Sequence, residues 1–207
     1  VPPEAAALRA ARDAGVPVLA EAELGLRCLG GSRVLAITGT NGKTTTTALT
    51  AHLLVAAGLK AVSAGNIGRP LSAVALEDVP PDWLAVELSS FQLHDMPSLS
   101  PTAGVLTNLS PDHLDRYPTL ADYYADKAQL FRNATDASVW ITNDDDPEVQ
   151  RMAAPVAGVH RRFSTTRVAD GWYDRRGQAL MLGRDSLLPR GELMLLGDHN
   201  VANALAA

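Results

Sequence analysis

An α/β fold, with a mostly parallel sheet and helices on both faces, is predicted by three observations. Short apolar runs recur along the 207 residues, and helical stretches separate most of them. One run, Val34-Leu35-Ala36-Ile37-Thr38, has the unbroken character of a strand buried on both sides. A glycine-rich turn, Gly39-Thr40-Asn41-Gly42-Lys43-Thr44-Thr45, joins that run to a helical stretch, as a strand-to-helix turn should.

The elements follow in order. Pro3 to Ala14 is Ala-rich and reads as a helix that Gly15 stops. Val16 to Leu19 reads as a short strand, Glu21 to Leu29 as a second helix, and Gly30-Gly31-Ser32 as a hinge. After the strand at 34–38, a helix runs from Lys43 to Ala57, with Leu49, Leu53 and Ala56 or Ala57 at helical spacing and Gly58 as its stop. Ala61–Ala64, Trp83–Leu88, Ala103–Thr107 and Ser138–Thr142 read as further strands, and Thr119–Arg132 as a helix. The region 159–196 differs, because apolar runs such as Ala179–Leu182 and Leu193–Leu196 are joined by polar turns. It reads as a small antiparallel addition packed on the main sheet. His199–Ala207 reads as a helix with no closing Gly or Pro, and the first residue is Val1; the sequence is therefore expected to be a piece of a longer protein.

Hydrophobic residues make up 46% of the chain, enough for one sizeable core. Charged residues make up 20%, the net charge is −5 and no basic block stands out, which disfavours a nucleic-acid partner. No apolar run approaches the ~20 residues that a membrane span needs, and no secretory signal is expected. The single cysteine, Cys28, cannot form an internal disulfide, so a reducing cytoplasm is expected; lying in an apolar run, it reads as a small core residue.

The glycine-rich turn carries the strongest chemical signal. Its glycines let backbone N–H groups converge, and the helix that follows adds free N–H groups and a positive dipole end, which together suit phosphate. Lys43 would reach the β- and γ-phosphates of ATP, and the Thr44 hydroxyl would bind Mg²⁺. The fit to G-x-x-x-x-G-K-[ST] is partial, since the first glycine would fall at Ile37. Glu87 ends an apolar strand, where it is either a surface carboxylate or a Mg²⁺ ligand. His113, between Asp112 and Asp115, lies in a loop after a strand and is either structural or a ligand. Lys127 falls on the apolar stripe of its helix, with Leu120, Tyr123, Tyr124, Leu130 and Phe131. It is either a snorkelling lysine or a desolvated amine with a lowered pKa, and a neutral amine can take up CO₂ to form an anionic carbamate. Asn66, within Gly65-Asn66-Ile67-Gly68, could face a phosphate or simply make a turn, and Asn200 and Asn203 could cap the last helix or meet a purine edge.

Taken in sequence order, Gly39–Thr45, Gly65–Gly68, Glu87-Leu-Ser-Ser-Phe-Gln-Leu93, Asn108-Leu-Ser-Pro-Asp-His-Leu-Asp-Arg-Tyr117, Asn143-Asp-Asp-Asp146 and Gly197-Asp-His-Asn-Val-Ala-Asn-Ala-Leu-Ala-Ala207 resemble the Mur ligase family from about residue 33 onward. The phosphate loop alone would also suit folylpolyglutamate synthetases; the blocks at 87–93 and 112–117 point to the Mur branch whose acceptor is D-glutamate. The resemblance implies an ATP-dependent amide ligase of peptidoglycan synthesis acting on UDP-N-acetylmuramoyl-L-alanine and D-glutamate. It accounts for the shortened loop at Ile37. It implies phosphate contacts from Gly39, Thr40, Asn41, Gly42, Lys43, Thr44 and Thr45, with Asn200 and Asn203 facing the nucleotide. One Mg²⁺ would sit on Thr44 and Glu87, and a second on His113 and carbamylated Lys127. Lys43, His113 and Lys127 would be catalytic, and Asn66, Ser89 and Gln92 would face the UDP-linked substrate. Residues 1–31 would be the end of a UDP-binding domain with its linker, and 32–207 the central ATP-binding domain, with a C-terminal ligase domain absent. A nucleotide-binding regulatory module without ligase activity is the other reading; it would need no Glu87, His113 or Lys127 around a metal.

Overall fold

In the computed structural model, which describes residues 5–112 and 116–207, Ala6–Asp13 form α1 and Glu21–Cys28 form α2. The expected strand between them is absent. Pro17 has no N–H to give, Val16 and Leu19 are exposed, and the stretch is held by single bonds at its ends, Val16 N to Ala11 O and Ala20 N to Asp95 O. Helix α2 buries Ala22, Gly25 and Leu29, the residues of one helical stripe. Cys28 lies off that stripe and is exposed, which corrects its reading as a core residue.

The chain then alternates as expected: β1 (Arg33–Thr38), α3 (Lys43–Ala56), β2 (Ala61–Gly65), α4 (Leu71–Ala75), β3 (Trp83–Glu87), α5 (Ser90–His94) and β4 (Ala103–Leu106). After these come α6 (Leu120–Ala128), β5 (Val139–Asn143), α7 (Pro147–Ala153), β6 (Val159–Ser164), β7 (Gly171–Asp174), β8 (Ala179–Leu182), β9 (Asp185–Pro189) and α8 (Asp198–Ala206). Thr119 starts α6 through a capping box with Asp122, and the helix tightens into a 3₁₀ turn at Gln129–Phe131.

Among the described residues, nine strands join one sheet in the order β2-β3-β1-β4-β5-β6-β7-β8-β9. Pairing is parallel from β2 through β7 and antiparallel at β7–β8 and β8–β9. The antiparallel part thus begins later than 159 and extends the sheet edge rather than packing on its face. Leu193–Leu196 forms no strand: glycines 191 and 197 bracket it, and Met194 and Leu196 are 90% and 83% exposed.

Side-chain alternation along the strands gives the sheet two apolar faces. Leu84 and Val86 belong to one apolar cluster with residues of α2, α4, α5 and α7, while Ile37, Ala85, Val105 and Phe163 belong to a second with Ala51 of α3 and Ala206 of α8. Helix α3 turns Thr46, Thr47, Thr50 and Ala51 inward and leaves Thr44 and Leu53 exposed, so the second half of its four-threonine run is the part that is buried. Trp140 of β5 is fully buried, edge-on to Phe131 at 4.7 Å between ring centroids. Gly104 makes room for it, since a Cβ there would lie 2.5 Å from Trp140 Cζ3. Gly104→Val is therefore expected to destabilise the fold by about 1–3 kcal/mol through overpacking. Urea unfolding measures this, and an unchanged midpoint would refute it.

Candidate functional site

Strand β1 lies between β3 and β4, because the chain passes to one side for β2 and β3 and crosses to the other for β4. The loops after β1 and β4 therefore open a crevice at the carboxyl ends of the strands. The glycine-rich turn sits in it. Gly42 adopts a left-handed conformation, φ 83°, as the N-cap of α3, and a Cβ there would collide with Asn203 Oδ1. A Cβ at Gly39 would likewise run into Thr107 Oγ1. The backbone is thus drawn tight at the start of a 14-residue helix whose first N–H groups and dipole favour an anion.

The loop after β4 holds the turn in place. Thr40 N donates to Asn108 O at 2.9 Å, and the Asn108 side chain pairs with the Asn41 backbone twice, accepting from N and donating to O, both at 2.9 Å. Thr107 Oγ1 donates to Asn41 O at 2.7 Å, and Ser110 N donates to Thr40 Oγ1 at 3.0 Å. A neighbouring loop thus fixes the turn's backbone.

Two lysines converge on one carbonyl. Lys43 Nζ donates to Gly39 O at 3.1 Å and Thr40 O at 2.8 Å, and Lys127 Nζ donates to Gly39 O at 2.8 Å. Lys127 is 2% exposed, as its place on the helical stripe predicts, and its amine lies 4.9 Å from the Tyr123 ring centroid. Burial chiefly, and then the charge of Lys43, push the Lys127 amine down to about 7, with Asp112 opposing. Burial also lowers Lys43, while the charges of Glu87 and Asp112 pull it back up.

Glu87 is 2% exposed and accepts a bond from Asn66 Nδ2 at 3.2 Å. Asn66 therefore orients this carboxylate. The Thr44 hydroxyl, in the first turn of α3, and the Glu87 carboxylate are hard oxygen donors of the kind Mg²⁺ prefers, so the donor set fits that ion. Among the described residues no group of three or more His, Cys, Asp or Glu side chains is gathered as a metal site. His113 lies outside the described residues. Ser89 and Gln92 bind each other in the capping box of α5. Gln92 also lines a cleft of about 720 Å³ between the α1–α2 segment and α5–α6, with Phe91, Arg116 and Tyr117.

Beside the turn, a cavity of about 490 Å³ is lined by Asn41, Gly42, Thr107, Asn108, Asn143, Phe163, His199, Ala202 and Asn203. Asn203 faces it; Asn200 stands behind, accepting from Asn203 Nδ2 at 3.0 Å and donating to Leu196 O. Thr107, Phe163 and His199 were not foreseen as lining residues. Thr107 and Asn143 sit where β4 and β5 end, and the rule that ligands bind at carboxyl ends of parallel strands would have found both. Phe163 sits at the same end of β6, in register with Asn143, but the antiparallel reading of 159–196 kept the rule from reaching it.

The family profile of the Mur ligase middle domain matches residues 37–207. The chain is similar to the UDP-N-acetylmuramoylalanine–D-glutamate ligase of Aromatoleum aromaticum, with 44% identity over 95% of this chain and 45% of that protein. The corresponding proteins of Exiguobacterium sibiricum and Geobacillus kaustophilus are 39% and 40% identical, over 100% and 97% of this chain and 45% and 44% of theirs. The chain thus spans a little under half the length of these relatives. Among solved structures it is similar to a UDP-N-acetylmuramoyl-L-alanyl-D-glutamate–2,6-diaminopimelate ligase, with TM-score 0.69 and 24% identity over 96% of this chain and 44% of that one. It is also similar to a UDP-N-acetylmuramate:L-alanyl-γ-D-glutamyl-meso-diaminopimelate ligase from Neisseria meningitides, with TM-score 0.70 and 20% identity over 96% and 67%. Both share the fold.

Proposed function

The chain belongs to the Mur ligase family, and from that premise we propose that it is the ATP-handling part of a ligase that joins D-glutamate to UDP-N-acetylmuramoyl-L-alanine in peptidoglycan synthesis. The observation that carries the reading is the convergence of Lys43 and Lys127 on the Gly39 carbonyl at the mouth of a phosphate-shaped turn. A free carboxylate is a poor electrophile. Transfer of the γ-phosphoryl group of ATP to the alanyl carboxylate makes an acyl phosphate, which the D-glutamate amine attacks through a tetrahedral intermediate that expels phosphate. The turn's N–H groups hold the phosphates, and Lys43 offsets the charge on the transferring oxygens. Thr44 and Glu87 would hold one Mg²⁺, and His113 with a carbamate on Lys127 a second. Mg²⁺ bound there would neutralise phosphoryl oxygen charge.

The cavity beside Asn203 suits the nucleoside. We assign Asn66, Ser89 and Gln92 to the side of the UDP-linked substrate, and the place of Gln92 in the second cleft supports this for Gln92. Residues 32–207 form the central domain in this proposal, and 1–31 the end of a UDP-binding domain with its linker. Helix α2, although within that first stretch, packs on α4 and α5. Among the described residues no helix is long and apolar enough to cross a membrane, and a cytoplasmic setting fits the lone thiol. The test is ADP release by the full-length protein with ATP, UDP-N-acetylmuramoyl-L-alanine and a panel of amino-acid acceptors. Release that depends on D-glutamate is expected; equal release with other acceptors would overturn the assignment.

A further inference from the structure

Asn143 ends β5 and lines the cavity, and Asp144-Asp145-Asp146 follow it outside that lining. Asn143 donates from Nδ2 to Thr107 O at 2.9 Å and accepts Asp145 N at 2.9 Å. Asp146 divides its carboxylate between two tasks. Oδ1 accepts Glu148 N at 3.0 Å and Val149 N at 3.2 Å, which caps α7. Oδ2 accepts Leu109 N at 2.7 Å. Leu109 lies between Asn108 and Ser110, which bind Asn41 and Thr40 of the phosphate turn. Asp146 itself does not line the cavity.

We propose that Asp146 is a positioning residue for the phosphate turn: by anchoring Leu109 it fixes the 107–110 loop, which in turn sets the turn's grip on a polyphosphate. The proposal rests on reading this site as a nucleotide site. The turn takes this outside support through the bonds of Thr107, Asn108 and Ser110 to Thr40 and Asn41. The two carboxylate oxygens allow the structural and positioning roles to be separated. Asp146→Asn keeps an oxygen to cap α7 but turns an amide donor toward the Leu109 N–H. Asp146→Ser keeps a capping hydroxyl and leaves the Leu109 N–H without its acceptor.

The experiment measures the affinity of the full-length protein for ATP and for adenosine, together with thermal unfolding, in the wild type and both variants. ATP affinity is expected to fall about tenfold in each, with adenosine affinity changed by less than about twofold and cooperative unfolding retained. Equal weakening of both ligands, unchanged ATP affinity or unfolding of both variants overturns the proposal. A wild type that does not prefer ATP to adenosine overturns the nucleotide reading itself, and the proposal with it.

Discussion

Lys43→Ala is expected to lower ATP-dependent turnover of the full-length protein by about a thousandfold or more, with the fold intact. The side chain bonds only to the Gly39 and Thr40 carbonyls of its own turn, so its loss removes little from the core. Its energetic role lies in the transition state, where charge spreads over phosphoryl oxygens and no other described lysine except Lys127 reaches the same carbonyl. ADP release at saturating ATP and circular dichroism read the two halves of this expectation. Turnover within about tenfold of wild type would remove Lys43 from phosphoryl transfer. The substitution should also raise the Lys127 pKa, because the Lys43 charge is one of the two causes holding it down.

Lys127→Ala carries the second largest expected effect, a loss of about a hundredfold in turnover, partly restored by a short carboxylic acid that takes the carbamate's place. Full activity of the variant in added bicarbonate would sink the carbamate idea. The same residue predicts a pH dependence of stability. Folded Lys127 titrates near 7, against its ordinary 10.5. Below about 7 both states hold the proton, and the folded state bears the whole cost of a buried charge. As pH rises from there toward 10.5, the folded state releases its proton first, so stability rises across that window. Lys127→Met removes this slope. Its stability advantage over wild type should be greatest at or below pH 7 and shrink toward 10.5, which urea midpoints below and within the window measure. An advantage constant with pH would refute the lowered pKa.

Much of this was legible before any coordinates, for a physical reason. Parallel strands buried on both faces, such as Val34–Thr38, must be apolar throughout, and a strand-to-helix turn that binds phosphate must carry glycine and lysine at close spacing. Helical periodicity put Lys127 on the buried side, where it is found. What failed was the part that depends on partners. Val16–Leu19 has strand-like residues but no neighbouring strand. Leu193–Leu196 is apolar yet exposed. Cys28 was judged by its neighbours in sequence rather than by the stripe of α2. In the site, Ser89 and Gln92 were read for a substrate, yet they also form a capping box, which the Ser-x-x-Gln spacing announces. Asn143 and Asp146 counted only as part of a family block and had no role of their own, because their partners, Thr107 and Leu109, lie 36 and 37 residues away.

Such separations bear on how the molecule comes into being. Asn41 meets Thr107 across 66 residues, Thr40 meets Ser110 across 70, and Gly39 meets Lys127 across 88. A chain that has formed only β1 and α3 has the glycine turn but nothing to hold its shape. Closing loops of this length is slow, so a refolding chain should gain affinity for ATP only in its last kinetic phase, after helical signal has largely returned. Nucleotide, if it binds only the finished state, would then stabilise it by mass action, so that nucleotide concentration would help to decide how much of the protein stays folded.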